Sequence, residues 1–167
     1  MDDAAARLLQ SWRSVPAIAR DRYLNVVAAN RAAVGLCPAL EPGHNLARSA
    51  FLGGLPEDDD WRRLTSSIAG LLRDSLEEHE EDAGFIELVG ELATRSTTFG
   101  RLWSEPGRDV DHVGVVVLSS KFVGELRMRY QELRMPLDDD ITIVVLQAAD
   151  GWSARRYDRL LHLLALA

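Results

Sequence analysis

The chain has 167 residues, a formal net charge of -7 at pH 7 and a single cysteine, Cys37. This length supports one domain, and the acidic excess opposes direct binding to nucleic acid, because that affinity depends on cationic side chains that displace phosphate counterions. One cysteine excludes an internal disulfide, a cysteine zinc cluster and a two-thiol redox motif. The sequence lacks a secretory signal and any apolar run of the roughly 20 residues that a membrane span requires. We therefore expect one cytoplasmic domain over residues 1–167, with no membrane contact.

The N-terminal segments predict a short helix followed by a β-hairpin. Three large apolar side chains share one face of a helix over residues 4–12: Leu8, Leu9 and Trp12. We interpret residues 1–12 as a connector helix. The β-compatible runs at residues 17–20 and 25–29 flank a polar turn, which is the pattern of a hairpin.

The middle of the chain is predicted to be helical. Asn30 and Asn45 each precede a short helical segment and are predicted N-caps. The longest predicted helix follows the acidic residues 58–60, and its apolar side chains recur at spacings of three and four: Trp61, Leu64, Ile68, Leu71, Leu72 and Leu76. Two shorter helical segments are predicted at residues 85–95 and 99–103.

The last third predicts three antiparallel strands and a final helix. The strands cover residues 113–118, 124–133 and 141–148, with the acidic triplet 138–140 predicted as a turn and Ser153 as the N-cap of the helix. Because strands do not alternate with single helices, the fold class is α+β rather than doubly wound. We expect a five-stranded antiparallel sheet with a helical insert packed over one face and a C-terminal helix, which is the outline of a PAS domain.

Known patterns of catalytic residues are missing from the sequence. It has no Gly-rich phosphate loop and no GxSxG nucleophile elbow. The four histidines are dispersed: His44, His79, His112 and His162. The acidic run 77–82 around His79 is interpreted as a solvated helix end, and Asp109, Asp111 and His112 as turn residues rather than an acid-base pair. We predict no catalytic residue, no metal and no cofactor, and therefore no enzyme.

The helical insert has a surplus of large apolar side chains. They are Phe51, Leu52, Trp61, Leu64, Ile68, Phe85, Leu88, Phe99, Leu102 and Trp103. A packed core and a ligand cavity use the same residue types, so periodicity alone leaves both interpretations open.

Short motifs run in a defined order through residues 8–164. They include Asp21-Arg22, Asn45-Leu46-Ala47-Arg48, Leu88-Val89-Gly90-Glu91-Leu92, Arg101-Leu102-Trp103 and Val123-Gly124-Glu125-Leu126. In these motifs the chain resembles the MmyB-like transcription regulator ligand-binding domain. Members of that family are similar to PAS domains and usually follow an N-terminal helix-turn-helix of the Xre type, which is absent from this chain.

The resemblance implies the sensor of a bacterial transcription regulator. Its ligand would be a medium- or long-chain fatty acid or a similar apolar small molecule, and DNA would be bound only through the helix-turn-helix, so the chain would be an excised or stand-alone sensor. We expect the ligand to contact the apolar side chains named above and Met128, with Arg48 and Tyr130 at its polar group. The alternative is a dimerisation or protein-interaction module with a fully packed core, whose leucine-rich last helix forms a homodimer interface.

Overall fold

The computed structural model describes residues 3–55, 57–78, 81–105, 110–135 and 138–166. In chain order its helices and strands are α1 (Asp3–Ser11), β1 (Ala17–Arg20), β2 (Val26–Ala29), α2 (Arg31–Leu36), a 3-10 helix (Pro38–Leu40), α3 (Leu46–Leu52), α4 (Asp59–Glu78), α5 (Ala83–Arg95), α6 (Thr97–Ser104), β3 (Val113–Ser120), β4 (Gly124–Met135), β5 (Asp138–Ala148) and α7 (Gly151–Ala165).

The strands form one antiparallel sheet in the order β2-β1-β5-β4-β3. Side chains alternate between its two faces. The inner face, which carries Ile18, Met128 and Leu146, packs against α2 and α7. The outer face carries Ala17 and Ile143, which pack against α1.

A second apolar cluster lies among α3, α4, α5 and α6. Its fully buried residues include Leu72, Phe85, Leu92 and Phe99. Helix α4 joins this helical cluster to the sheet, because Leu64 packs against both clusters. The helical insert is therefore held partly by its own core and partly by the sheet.

Side-chain caps fix the helix starts. The Oδ1 atoms of Asn30 and Asn45 accept hydrogen bonds from the main-chain amides of Ala33 and Arg48, as N-caps do. The prediction that Ser153 caps the last helix was wrong. Asp150 caps α7 by accepting from the Ser153 amide, whereas the Ser153 hydroxyl accepts from the amide of Arg127 on β4.

The predicted α+β, PAS-like fold with a five-stranded antiparallel sheet and a C-terminal helix is confirmed. One local prediction differs, because residues 138–140 start β5 instead of forming a turn. Met135 pairs with Asp138 across a shift in register, which brings the acidic triplet into the strand. No helix in the described ranges is long and apolar enough to cross a bilayer.

Candidate functional site

A cavity of about 350 Å³ lies between the inner face of the sheet and the helices α3 and α4. The sheet contributes Ile18 and Leu146, and α4 contributes Leu64 and Ile68. Small-molecule sites in proteins occupy roughly 300–1,000 Å³ and are lined mainly by apolar side chains, so this cavity has the size and the lining of a compact ligand site.

Small residues of α3 and the residue after it line the cavity on the side of the helices. Ser49, Ala50 and Gly53 line the cavity from this side. A Cβ atom at position 53 would collide with the Ser49 carbonyl oxygen, so this position requires glycine. The Trp61 indole donates a hydrogen bond to the Ala50 carbonyl at 3.0 Å and thereby ties the start of α4 to α3.

Polar residues gather at one end of the cavity, which we call the polar end: Arg20, Ser67, Asp111, Tyr130 and Glu132. The Arg20 Nε and Nη2 atoms donate to Glu132 Oε1 at 3.1 and 2.8 Å. The Arg20 and Glu132 side chains are only 7% and 9% exposed. The second carboxylate oxygen, Oε2, lies 2.9 Å from His112 Nδ1, and because a carboxylate is an acceptor the imidazole N–H is the donor.

Tyr130 completes the polar end. Its hydroxyl donates to the Asp111 carbonyl at 3.4 Å, and the Ser67 hydroxyl donates to that carbonyl at 3.1 Å. Burial raises the pKa of Tyr130, and the negative charges of Glu132 and Asp111 raise that pKa further. The phenol therefore stays neutral and keeps its proton for hydrogen bonding.

Gly114 leaves room for the Tyr130 ring beside β3. The two residues are directly opposite each other on β3 and β4. A Cβ atom at position 114 would lie 2.6 Å from the Tyr130 hydroxyl oxygen and 2.7 Å from two ring carbons. Only glycine allows the ring to lie this close to β3.

The structure brings three of the predicted ligand-binding residues to the cavity: Leu64, Ile68 and Tyr130. The others pack outside its lining. Those in the helical cluster are Phe51, Leu52, Phe85, Leu88, Phe99, Leu102 and Trp103. Met128 lies in the core of the inner face and Trp61 at the contact of α4 with α3. A ligand contact at these positions stays a prediction.

Arg48 has a different partner from the one expected for a polar-group contact. Its Nε atom donates to Glu91 Oε2 at 2.7 Å, and its side chain is 42% exposed. This hydrogen bond is the main cause that holds the pKa of Glu91 below its usual range. Arg48 therefore joins α3 to α5, away from the cavity lining.

Arg20 and Glu132 were not among the predicted site residues, although the alternation of side chains along their strands places both on the inner face of the sheet. Arg20 lies two residues after Ile18, and Glu132 lies two residues after Tyr130. Side chains two apart on a strand share a face. A charged residue two positions from a buried residue on the same strand therefore indicates a buried ion pair.

Among the described residues, no group of three His, Cys, Asp or Glu side chains could hold a metal ion.

The antiparallel sheet, the helical insert over its inner face and the apolar cavity between them define a PAS-like ligand-binding domain. The sequence profile of the family described as "MmyB-like transcription regulator ligand binding domain" matches residues 1–161. The chain belongs to this family and is the ligand-binding domain of a transcription regulator. A comparison with curated proteins found no match.

Proposed function

We propose that this domain is the sensor of a bacterial, cytoplasmic regulator and that it binds a fatty acid or a similar apolar small molecule in the cavity. It performs no catalysis and reports occupancy to an attached DNA-binding domain. The observation that carries the proposal is the apolar cavity beneath α3 and α4, in a chain that belongs to a family of ligand-binding domains.

Burial of an apolar ligand against the cavity lining is enough to give measurable binding affinity. Burial of a methylene contributes about 0.8 kcal/mol, so a chain of about ten methylenes gains roughly 8 kcal/mol before costs. Association and ordering remove several kcal/mol, and contacts at the polar end restore part of that loss. A dissociation constant in the micromolar range is the expected result.

Ligand binding in the cavity can change the position of α1 through contacts that α2 makes with both. Cys37 and Pro38, which follow α2, line the cavity. The N-cap of α2, Asn30, donates from its side-chain amide to the carbonyls of Trp12 and Val15, just after α1. Regulation requires the ligand to bind one arrangement of these elements more tightly than another, because equal affinities shift no equilibrium.

Native mass spectrometry of the purified chain, with lipid identification after denaturing extraction, tests the proposal. A copurified apolar molecule at about one per chain supports the sensor function. A chain with no bound mass and no thermal stabilisation by fatty acids or by the corresponding alcohols would instead favour the interaction module, especially if it formed a tight dimer.

Ile68→Trp is expected to weaken ligand binding at least about tenfold while the fold is kept. Ile68 is 6% exposed and faces the cavity, so an indole there occupies ligand volume. The matched control is Ile86→Trp on α5, where the side chain is 57% exposed. Titration calorimetry checks both variants, and unchanged affinity in a folded Ile68→Trp variant would contradict this position for the ligand.

Ligand binding is also expected to slow the alkylation of Cys37 at least about fivefold, since a small reagent and the ligand compete for the same cavity. Cys37 is the sole cysteine of the chain and lines the cavity. Mass spectrometry of the alkylated chain over time gives the rate. Ile68→Trp should remove this protection, and equal rates with and without bound ligand in the original chain would be the contrary result.

A further inference from the structure

We propose that the polar end selects ligands whose polar group is uncharged, such as a hydroxyl or an amide, over ligands with a free carboxylate. This inference rests on the proposed function, because it names the chemistry of the ligand that the cavity takes. Within the proposed class of ligands, it favours neutral relatives of a fatty acid, such as the alcohol or the amide, over the free acid.

The positive charge at the polar end already has its partner. Arg20 is the one cationic side chain among the described residues that line the cavity. Two of its nitrogen atoms donate to the same oxygen of Glu132, and both side chains are buried. A ligand carboxylate would have to approach Arg20 beside this carboxylate, and like charges at short range in a buried site repel strongly.

The other charged lining group adds to this repulsion. Asp111 lies at the same end, so Arg20, Glu132 and Asp111 together carry one negative charge in excess. Asp111 is exposed, and its effect is therefore weaker than that of Glu132. Both charges disfavour ionisation of the Tyr130 hydroxyl. The same field acts against any anion placed beside that hydroxyl.

Hydrogen-bonding capacity nevertheless remains for a neutral group. A guanidinium has five N–H groups. In the part of the chain that the structure describes, Arg20 uses two of them on Glu132 and one on the Asp21 carbonyl. The remaining N–H groups can donate to a hydroxyl or carbonyl oxygen, and the Tyr130 oxygen can accept from a hydroxyl or amide. A neutral ligand thus gains hydrogen bonds without burying a second negative charge.

Titration calorimetry with three probes of equal chain length tests the proposal: decanol, decanamide and sodium decanoate at about pH 8, where the acid is fully ionised. We expect the intact domain to bind decanol and decanamide at least about tenfold more tightly than decanoate. Decanoate binding as tight as decanol binding would overturn the proposal and leave the proposed function in place. If none of the three probes bound to folded protein, both would be overturned.

Glu132→Gln gives a second, independent readout. The glutamine oxygen can still accept from Arg20, but the negative charge is gone, so the preference for decanol over decanoate should fall at least about tenfold. Glu91→Gln is the matched control, because Glu91 also pairs with an arginine but lies outside the cavity lining. An unchanged preference in folded Glu132→Gln would show that the charge of Glu132 is not the cause of the selectivity. If this variant does not fold, the three-probe titration of the original chain decides whether the domain prefers neutral ligands.

Discussion

Asn30→Ala is expected to lower the free energy of unfolding by about 3 kcal/mol. The Asn30 side chain is buried and joins three segments of the chain. Its Nδ2 atom donates to the carbonyls of Trp12 and Val15 at 2.9 and 2.7 Å. Its Oδ1 atom accepts from the amides of Ala17 and Ala33 at 3.2 and 3.0 Å.

The size of this effect follows from the number of groups that lose a partner. Loss of an N-cap alone costs about 1 kcal/mol. A buried backbone group left without a partner costs about 1–3 kcal/mol more, and alanine can replace none of the bonds to Trp12, Val15 or Ala17. The same substitution also frees the C-terminal end of α1 from α2, so we expect faster hydrogen exchange in residues 12–17.

Ser96→Ala is the matched control for Asn30→Ala, and urea denaturation measures both. Ser96 is also a buried N-cap, but its hydroxyl accepts a single capping bond, from the Phe99 amide at 3.2 Å. We expect a loss of about 1 kcal/mol for this variant. Equal losses for the two variants would show that the bonds from Asn30 to the α1–β1 segment contribute nothing to stability.

Most of the fold could be predicted because its elements have clear apolar patterns. Alternation in β4, short apolar runs in β3 and β5, and the spacing of apolar residues in α4 located these elements from the sequence. Caps gave the helix starts at Asn30 and Asn45. The start of α7 was misplaced because Asp150 and Ser153 are both good N-cap residues three positions apart, and only the tertiary contact of Ser153 with Arg127 decides between them.

The cavity was harder to predict than the fold. The apolar residues of α3 to α6 have the same composition whether they face the sheet or each other, and the pattern does not say which neighbour each helix face meets. Ile68 and Phe99 both belong to the helical cluster, but only Ile68 also lines the cavity. Small residues that line the cavity, such as Ala50 and Gly53, give almost no signal in the sequence.

Phe99→Ala is expected to lower the free energy of unfolding by about 4 kcal/mol, because it leaves a large hole in the helical cluster. Phe99 is fully buried. Its ring meets Phe51 edge-on at 5.0 Å between centroids and stacks on Trp103 at 5.4 Å. The exposed Phe122 is the matched control, and Phe122→Ala should change stability by less than about 0.5 kcal/mol in the same urea titration.

Phe99→Leu then separates a core role from a ligand contact. This variant keeps most of the apolar volume and should remain folded, so its ligand affinity can be measured directly. Because Phe99 packs on Phe51 and Trp103 and not in the cavity lining, we expect an affinity within about twofold of the original. Ile68→Trp should lose at least about tenfold in the same assay. If Phe99→Leu lost as much, the ligand would extend from the cavity into the helical cluster, and the wider set of binding residues predicted from the sequence would be the correct one.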